Sequence, residues 1–171
     1  MRRGFFVVLV LFGLAVIGVG PRRAAAQAGQ PLNLPCATGV TVESLTQAMP
    51  ANADGQALIL LRLTIAPGGG FAPHTHPGTV TVSVVSGALE FTHLADGPMA
   101  VMRAASGATP AATEPVTKGV PVSLHPGDWM VEQGMVHTMA NGGSESAVVL
   151  VAGLVPPDQP LVQCVAGTPT P

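Results

Sequence analysis

Over most of the chain, apolar and polar positions alternate in short runs set off by Gly and Pro. Residues 79–86 read Thr-Val-Thr-Val-Ser-Val-Val-Ser, a period of two in β-branched residues. That is the pattern of a strand with one face buried. Residues 57–66 (ALILLRLTIA) predict a second strong strand, with Leu58, Leu60, Arg62 and Thr64 on one face. Pro67-Gly68-Gly69-Gly70 reads as its end. Further strands are predicted over 39–45, 88–93, 100–104, 120–124, 129–132, 136–140 and 147–155. Gly87 predicts a hairpin joining 79–86 to 88–93, and Asn141-Gly142-Gly143-Ser144 predicts another before 147–155. No segment carries a helical period. Many short strands with Gly/Pro turns between them predict an all-β barrel or sandwich.

The alternation fails at the N-terminus. Arg2 and Arg3 precede an apolar run over 5–20, and Ala24-Ala25-Ala26 and Ala26-Gln27-Ala28 are small-x-small sequences. These features predict a signal peptide over residues 1–26 and a secreted or periplasmic protein. The apolar run is shorter than the ~20 residues of a membrane span; an uncleaved anchor is the alternative. Residues 27–36 then form a Pro-containing lead-in, 37–165 the barrel domain, and 166–171 a disordered tail. Within the domain, 94–119 is rich in Ala, Pro, Thr and Gly and reads as a loop insertion.

Charge narrows the partners. Without residues 1–26 the chain keeps Arg62, Arg103 and Lys118 against nine Asp and Glu, a net −6 in place of −2. Such a domain has no basic patch for nucleic acid or an anionic membrane. There is no Tyr and one Trp, which argues against an aromatic-lined sugar groove. The two cysteines, Cys36 and Cys164, stand near the two ends of the predicted domain. In an exported protein this predicts a disulfide; two unpaired buried thiols are the alternative.

The candidate chemistry is in Pro73-His74-Thr75-His76-Pro77-Gly78. Two His one residue apart in extended backbone point to the same face. The stretch Gly68-x5-His74-x-His76-x3-Val80-x6-Gly87 resembles the first motif of the cupin family, Gly-x5-His-x-His-x3/4-Glu-x6-Gly. Gly127-x4-Glu132-x-Gly134-x2-His137-x3-Asn141 resembles the second, Gly-x5-Pro-x-Gly-x2-His-x3-Asn, with Glu132 in place of Pro and one residue fewer before it. The resemblance implies a double-stranded β-helix, or jelly roll, and a divalent metal held inside it by His74, His76 and His137. It also implies a possible homodimer. The Glu of the first motif falls on Val80, flanked by Thr79 and Thr81, so the fourth ligand of the family is missing there. A three-His site favours Zn, Fe, Cu or Ni over Mn by ligand softness.

Other residues carry weaker readings. His93 reads as a rim residue, His125 as a turn residue, and Trp129, Met130 and Met139 as core. Met135 could also offer a thioether near His137. Glu90 and Glu132 read as solvated, with a supporting or general-base role as the alternative. Two functions follow. One is an exported metal-binding cupin acting on a small molecule as an oxygenase or isomerase. The other is a non-catalytic barrel without metal that binds a small apolar ligand or acts as a structural or partner-binding domain.

Overall fold

The computed structural model describes residues 34–106 and 111–166. The predicted signal peptide, most of the lead-in and nearly all of the tail lie outside the described residues. The strands are β1 (Ala37–Ala48), β2 (Ala57–Thr75), β3 (Thr79–Ser86), β4 (Leu89–His93), β5 (Ala100–Met102), β6 (Thr113–Pro115), β7 (Val122–Leu124), β8 (Trp129–Gln133), β9 (His137–Ala140), β10 (Ala147–Val155) and β11 (Gln163–Cys164). Among the described residues there is no helix, and every strand pairing is antiparallel.

The strands follow one path, β6-β5-β8-β3-β10-β2-β9-β4-β7, with β1 and β11 also on β2. This is the curled antiparallel sheet of a double-stranded β-helix. The 19-residue β2 joins its two halves. Its first part pairs with β10 from Ala57 to Ile65. Its last part pairs with β9, where His74 stands opposite His137.

The glycines expected to end β2 instead let it continue. Gly68 has a φ of 71°, which glycine adopts without steric cost. The amide N–H of Gly68 donates to the Asn141 carbonyl, and that of Asn141 donates to the Gly69 carbonyl, each at 2.8 Å. A Cβ on Gly70 would strike the Met139 carbonyl. These residues are an approach point between strands, and they carry β2 from one half of the barrel to the other.

Neither predicted hairpin forms. β3 pairs with β8 and β10, whereas β4 pairs with β7 and β9. Likewise β9 pairs with β2 and β4, and β10 with β2 and β3. Gly87 and Asn141-Gly142-Gly143-Ser144 are corners between the two halves. Burial supplies the reason: crossing over turns Val82 and Val84 of β3 and Leu89 and Phe91 of β4 all into the core.

The core also holds Ile59, Leu61, Leu63 and Ile65 of β2 and Val149 and Val151 of β10. Alternation on β8 corrects one expectation. Met130 is 0% exposed and Trp129 41%, so the methionine fills the core and the indole lies outside. The described part of the predicted insertion carries two strands: β5 and β6 pair with each other, and Met102 pairs with Trp129. Arg103 fastens it, donating to Glu114 at 2.7 Å and to buried Asp128 at 2.6 Å.

Candidate metal centre

His74 and His137 are direct partners across β2 and β9. Side chains of directly opposed residues leave the sheet on the same face, so both enter the barrel. His76 follows two residues after His74. All three are buried, and their ring centroids lie 4.2 to 5.3 Å apart. One nitrogen from each lies within 4.8 Å of the others, close enough to ligate a single ion.

Backbone carbonyls fix how the rings face. His74 Nδ1 bonds to the Ala72 carbonyl at 2.8 Å, His76 Nδ1 to that of Leu161 at 2.8 Å, and His137 Nδ1 to that of Met135 at 2.9 Å. A carbonyl only accepts, so each Nδ1 carries the proton. Each neutral ring then presents an Nε2 lone pair to the interior. Phe91 stacks on His137 at 5.1 Å and holds it from the side.

The missing carboxylate is supplied by a different strand. Glu132 of β8 is the cross-strand partner of Val80, the position at which the first motif lacks its Glu. The two side chains therefore share a face, and both are buried. A Glu132 carboxylate oxygen lies 3.0 Å from His76 Nε2 and 3.4 Å from His137 Nε2. Glu132 is 1% exposed, which corrects its reading as a solvated residue. The sequence signal was its place in the second motif, where Glu stands for Pro.

The donor set is unbalanced without a cation. With His76 neutral and its Nδ1 proton on the Leu161 carbonyl, neither carboxylate oxygen of Glu132 has a hydrogen-bond partner, nor has His137 Nε2. Buried charge without a partner is costly. One proton between His76 and Glu132 answers part of this. A divalent cation answers all four groups together, so these residues fit a metal ion.

Titration behaviour follows from the same geometry. Burial first, then repulsion by His137, lowers the His74 pKa to about 3. Burial also lowers His137. Burial opposes charge on His76 as well, but the hydrogen bond and charge of Glu132 outweigh it and raise its pKa. Burial works against the Glu132 carboxylate, yet His137 and His76 together hold it below the usual range.

The remaining candidates fall into place around this cluster. His93 is 1% exposed and both its ring nitrogens lack a partner, so it is not a rim residue. It stands opposite His137 across β4 and β9 and shares its inward face. Glu90 is exposed, as expected, and His125 opens a turn in which its carbonyl accepts from the Asp128 amide at 2.9 Å. Met135 serves His137 through its carbonyl, while Met130 and Met139 are core. Cys36 and Cys164 form a disulfide with a Cα–Cα separation of 5.8 Å.

Comparisons with known proteins bear on the family. The family model described as Cupin matches residues 37–161. Among solved structures, a cupin superfamily protein from Desulfitobacterium hafniense is 14% identical, with a TM-score of 0.44 over 68% of this chain and 77% of that one. A double-stranded β-helix protein from Klebsiella pneumoniae subsp. pneumoniae is 20% identical, with a TM-score of 0.45 over 70% and 78%. A polyketide cyclase from Streptomyces resistomycificus is 20% identical, with a TM-score of 0.41 over 79% and 77%. No curated protein sequence matches the chain. With the family model covering most of the barrel, the chain belongs to the cupin family.

Proposed function

We propose that this is an exported cupin that holds one divalent transition metal through His74, His76, His137 and Glu132, and binds a small molecule at that metal. The observation that carries the reading is the convergence of three imidazole Nε2 atoms on one buried carboxylate, with at most a single proton, between His76 and Glu132, to balance them. A bound metal supplies a Lewis-acidic or redox-active centre. Export rests on the sequence of residues 1–26 and is supported by the disulfide.

The carboxylate changes which metals suit the site. A three-His set disfavours Mn, but Glu132 adds a hard anionic oxygen, so Mn joins Zn, Fe, Cu and Ni. The rest of the pocket narrows the chemistry. Its lining is apolar apart from these four residues, with Leu63, Phe71, Val82, Met139 and Val151 among the walls. Isomerisation by proton transfer needs a base within reach of substrate, and the lining offers none outside the ligand set. Binding of a small molecule at the metal needs no such base, so the lining argues against isomerisation.

Metal content of the purified protein tests the reading. Wild type is expected to hold close to one equivalent after reconstitution, and His137→Ala to lose it. Glu132→Gln removes an anionic ligand and is expected to weaken binding by at least about 100-fold, the upper end of what loss of an outer partner costs. A wild-type protein that takes up none of Zn, Cu, Fe, Ni or Mn would refute it.

A further inference from the structure

The two ends of the described chain meet beside the His-bearing end of β2. Cys164 of β11 pairs with His74, and the Val165 amide donates to the Pro73 carbonyl at 2.9 Å. From the other terminus, the Ala72 amide donates to the Cys36 carbonyl at 2.9 Å. The disulfide joins these two segments. Leu34 from one, and Leu161 and Val162 from the other, line the cavity that holds His74, His76, Glu132 and His137. The Leu161 carbonyl also holds His76 Nδ1 at 2.8 Å, so the covering segment and the metal cluster share a bond.

The covered space is small. It leaves ≈ 30 Å³ to the centre of a water-sized sphere. One water needs about 10–15 Å³ by that measure. The space must hold the metal together with whatever joins it, and its walls are mostly aliphatic.

We infer that the disulfide-joined terminal segments are a fixed cover, and that the centre beneath it takes a ligand of two or three atoms, a diatomic or triatomic molecule able to ligate a metal. The inference rests on the metal reading above for the nature of the ligand, and on Leu34, Leu161, Val162 and the disulfide for its size. Leu34, Leu161 and Val162 narrow the way to the centre for an aromatic or sugar-sized substrate.

Two comparisons test it, each on wild type, Cys36→Ser/Cys164→Ser and Leu161→Ala/Val162→Ala. The last variant keeps the disulfide and guards against a failure of the first to fold. In the cobalt-loaded proteins, azide should shift the visible spectrum of all three. The larger 4-nitrocatechol should bind wild type at least about tenfold more weakly than the opened variants, the effect of a local closure worth about 1.4 kcal/mol. Equal nitrocatechol affinity in all three overturns the cover. In the metal-free proteins, diethyl pyrocarbonate should modify His74, His76 and His137 at least about tenfold more slowly in wild type. Equal rates overturn it as well. A protein that takes no cobalt contradicts the metal reading, and the metal-free comparison then decides the cover alone.

Discussion

Glu132 reaches the imidazoles because it stands opposite Val80 in the β3–β8 pairing. The position that lacks a carboxylate and the position that gains one are neighbours in space, though 52 residues apart in the chain. This arrangement predicts a reciprocal exchange. Glu132→Val should lose the metal, and Val80→Glu in that background should restore much of it, with elemental analysis as the readout. Failure of the double variant to bind more metal than Glu132→Val would separate the two positions functionally. Protons supply a second test at this scale. His74, at about 3, and His137, also lowered, are neutral near pH 7, whereas His76 is raised above 6.5 by Glu132. A proton on His76 blocks its lone pair, so metal affinity should rise as pH climbs through the His76 range and flatten above it. Calorimetry below the His76 range, in buffers of different ionisation enthalpy, should give about one proton released per metal, falling toward none above that range. Three would contradict the assigned protonation. The same shift stabilises the metal-free fold below the unfolded His value, and that stabilisation is lost as pH rises through the folded one. The three histidines were legible in the sequence because their spacing matches the family motifs. Glu132 and His93 were not, because burial of each depends on which strand stands opposite, and register across distant strands is not written in local pattern.

At the scale of elements, the strands were legible and their partners were not. A period of two marks a strand whichever neighbour it pairs with. Gly87 and Asn141-Gly142-Gly143-Ser144 therefore read equally well as hairpin turns or as corners, and the demand to bury both β3 and β4 decides for corners. Asn141 is the fixed point of one corner. It is 1% exposed, and its side-chain amide donates to the Ile65 carbonyl at 2.9 Å and to the Glu145 carbonyl at 2.8 Å. Its side-chain oxygen accepts from the Gly143 amide at 3.0 Å. At about 1 kcal/mol for each bond, Asn141→Ala should destabilise the fold by about 3 kcal/mol. Urea denaturation measures this directly. A change below about 0.5 kcal/mol, the range of surface substitutions, would mean that the corner does not depend on the side chain.

Across the whole molecule, one long strand, a set of crossovers and a disulfide close a barrel around four buried bases. β2 supplies His74 and joins both halves; β8 and β9 bring Glu132 and His137 to it; the C-terminal segment orients His76. The disulfide, between residues 128 apart, ties the ends of this arrangement together. Such a fold puts its most expensive groups where only a cation reconciles them. Anomalous diffraction from crystals grown with zinc tests that claim most directly. A single peak should lie at about 2.0–2.2 Å from Nε2 of His74, His76 and His137 and from a Glu132 oxygen. No peak inside the barrel, or a peak with Glu132 turned away from it, would contradict the account.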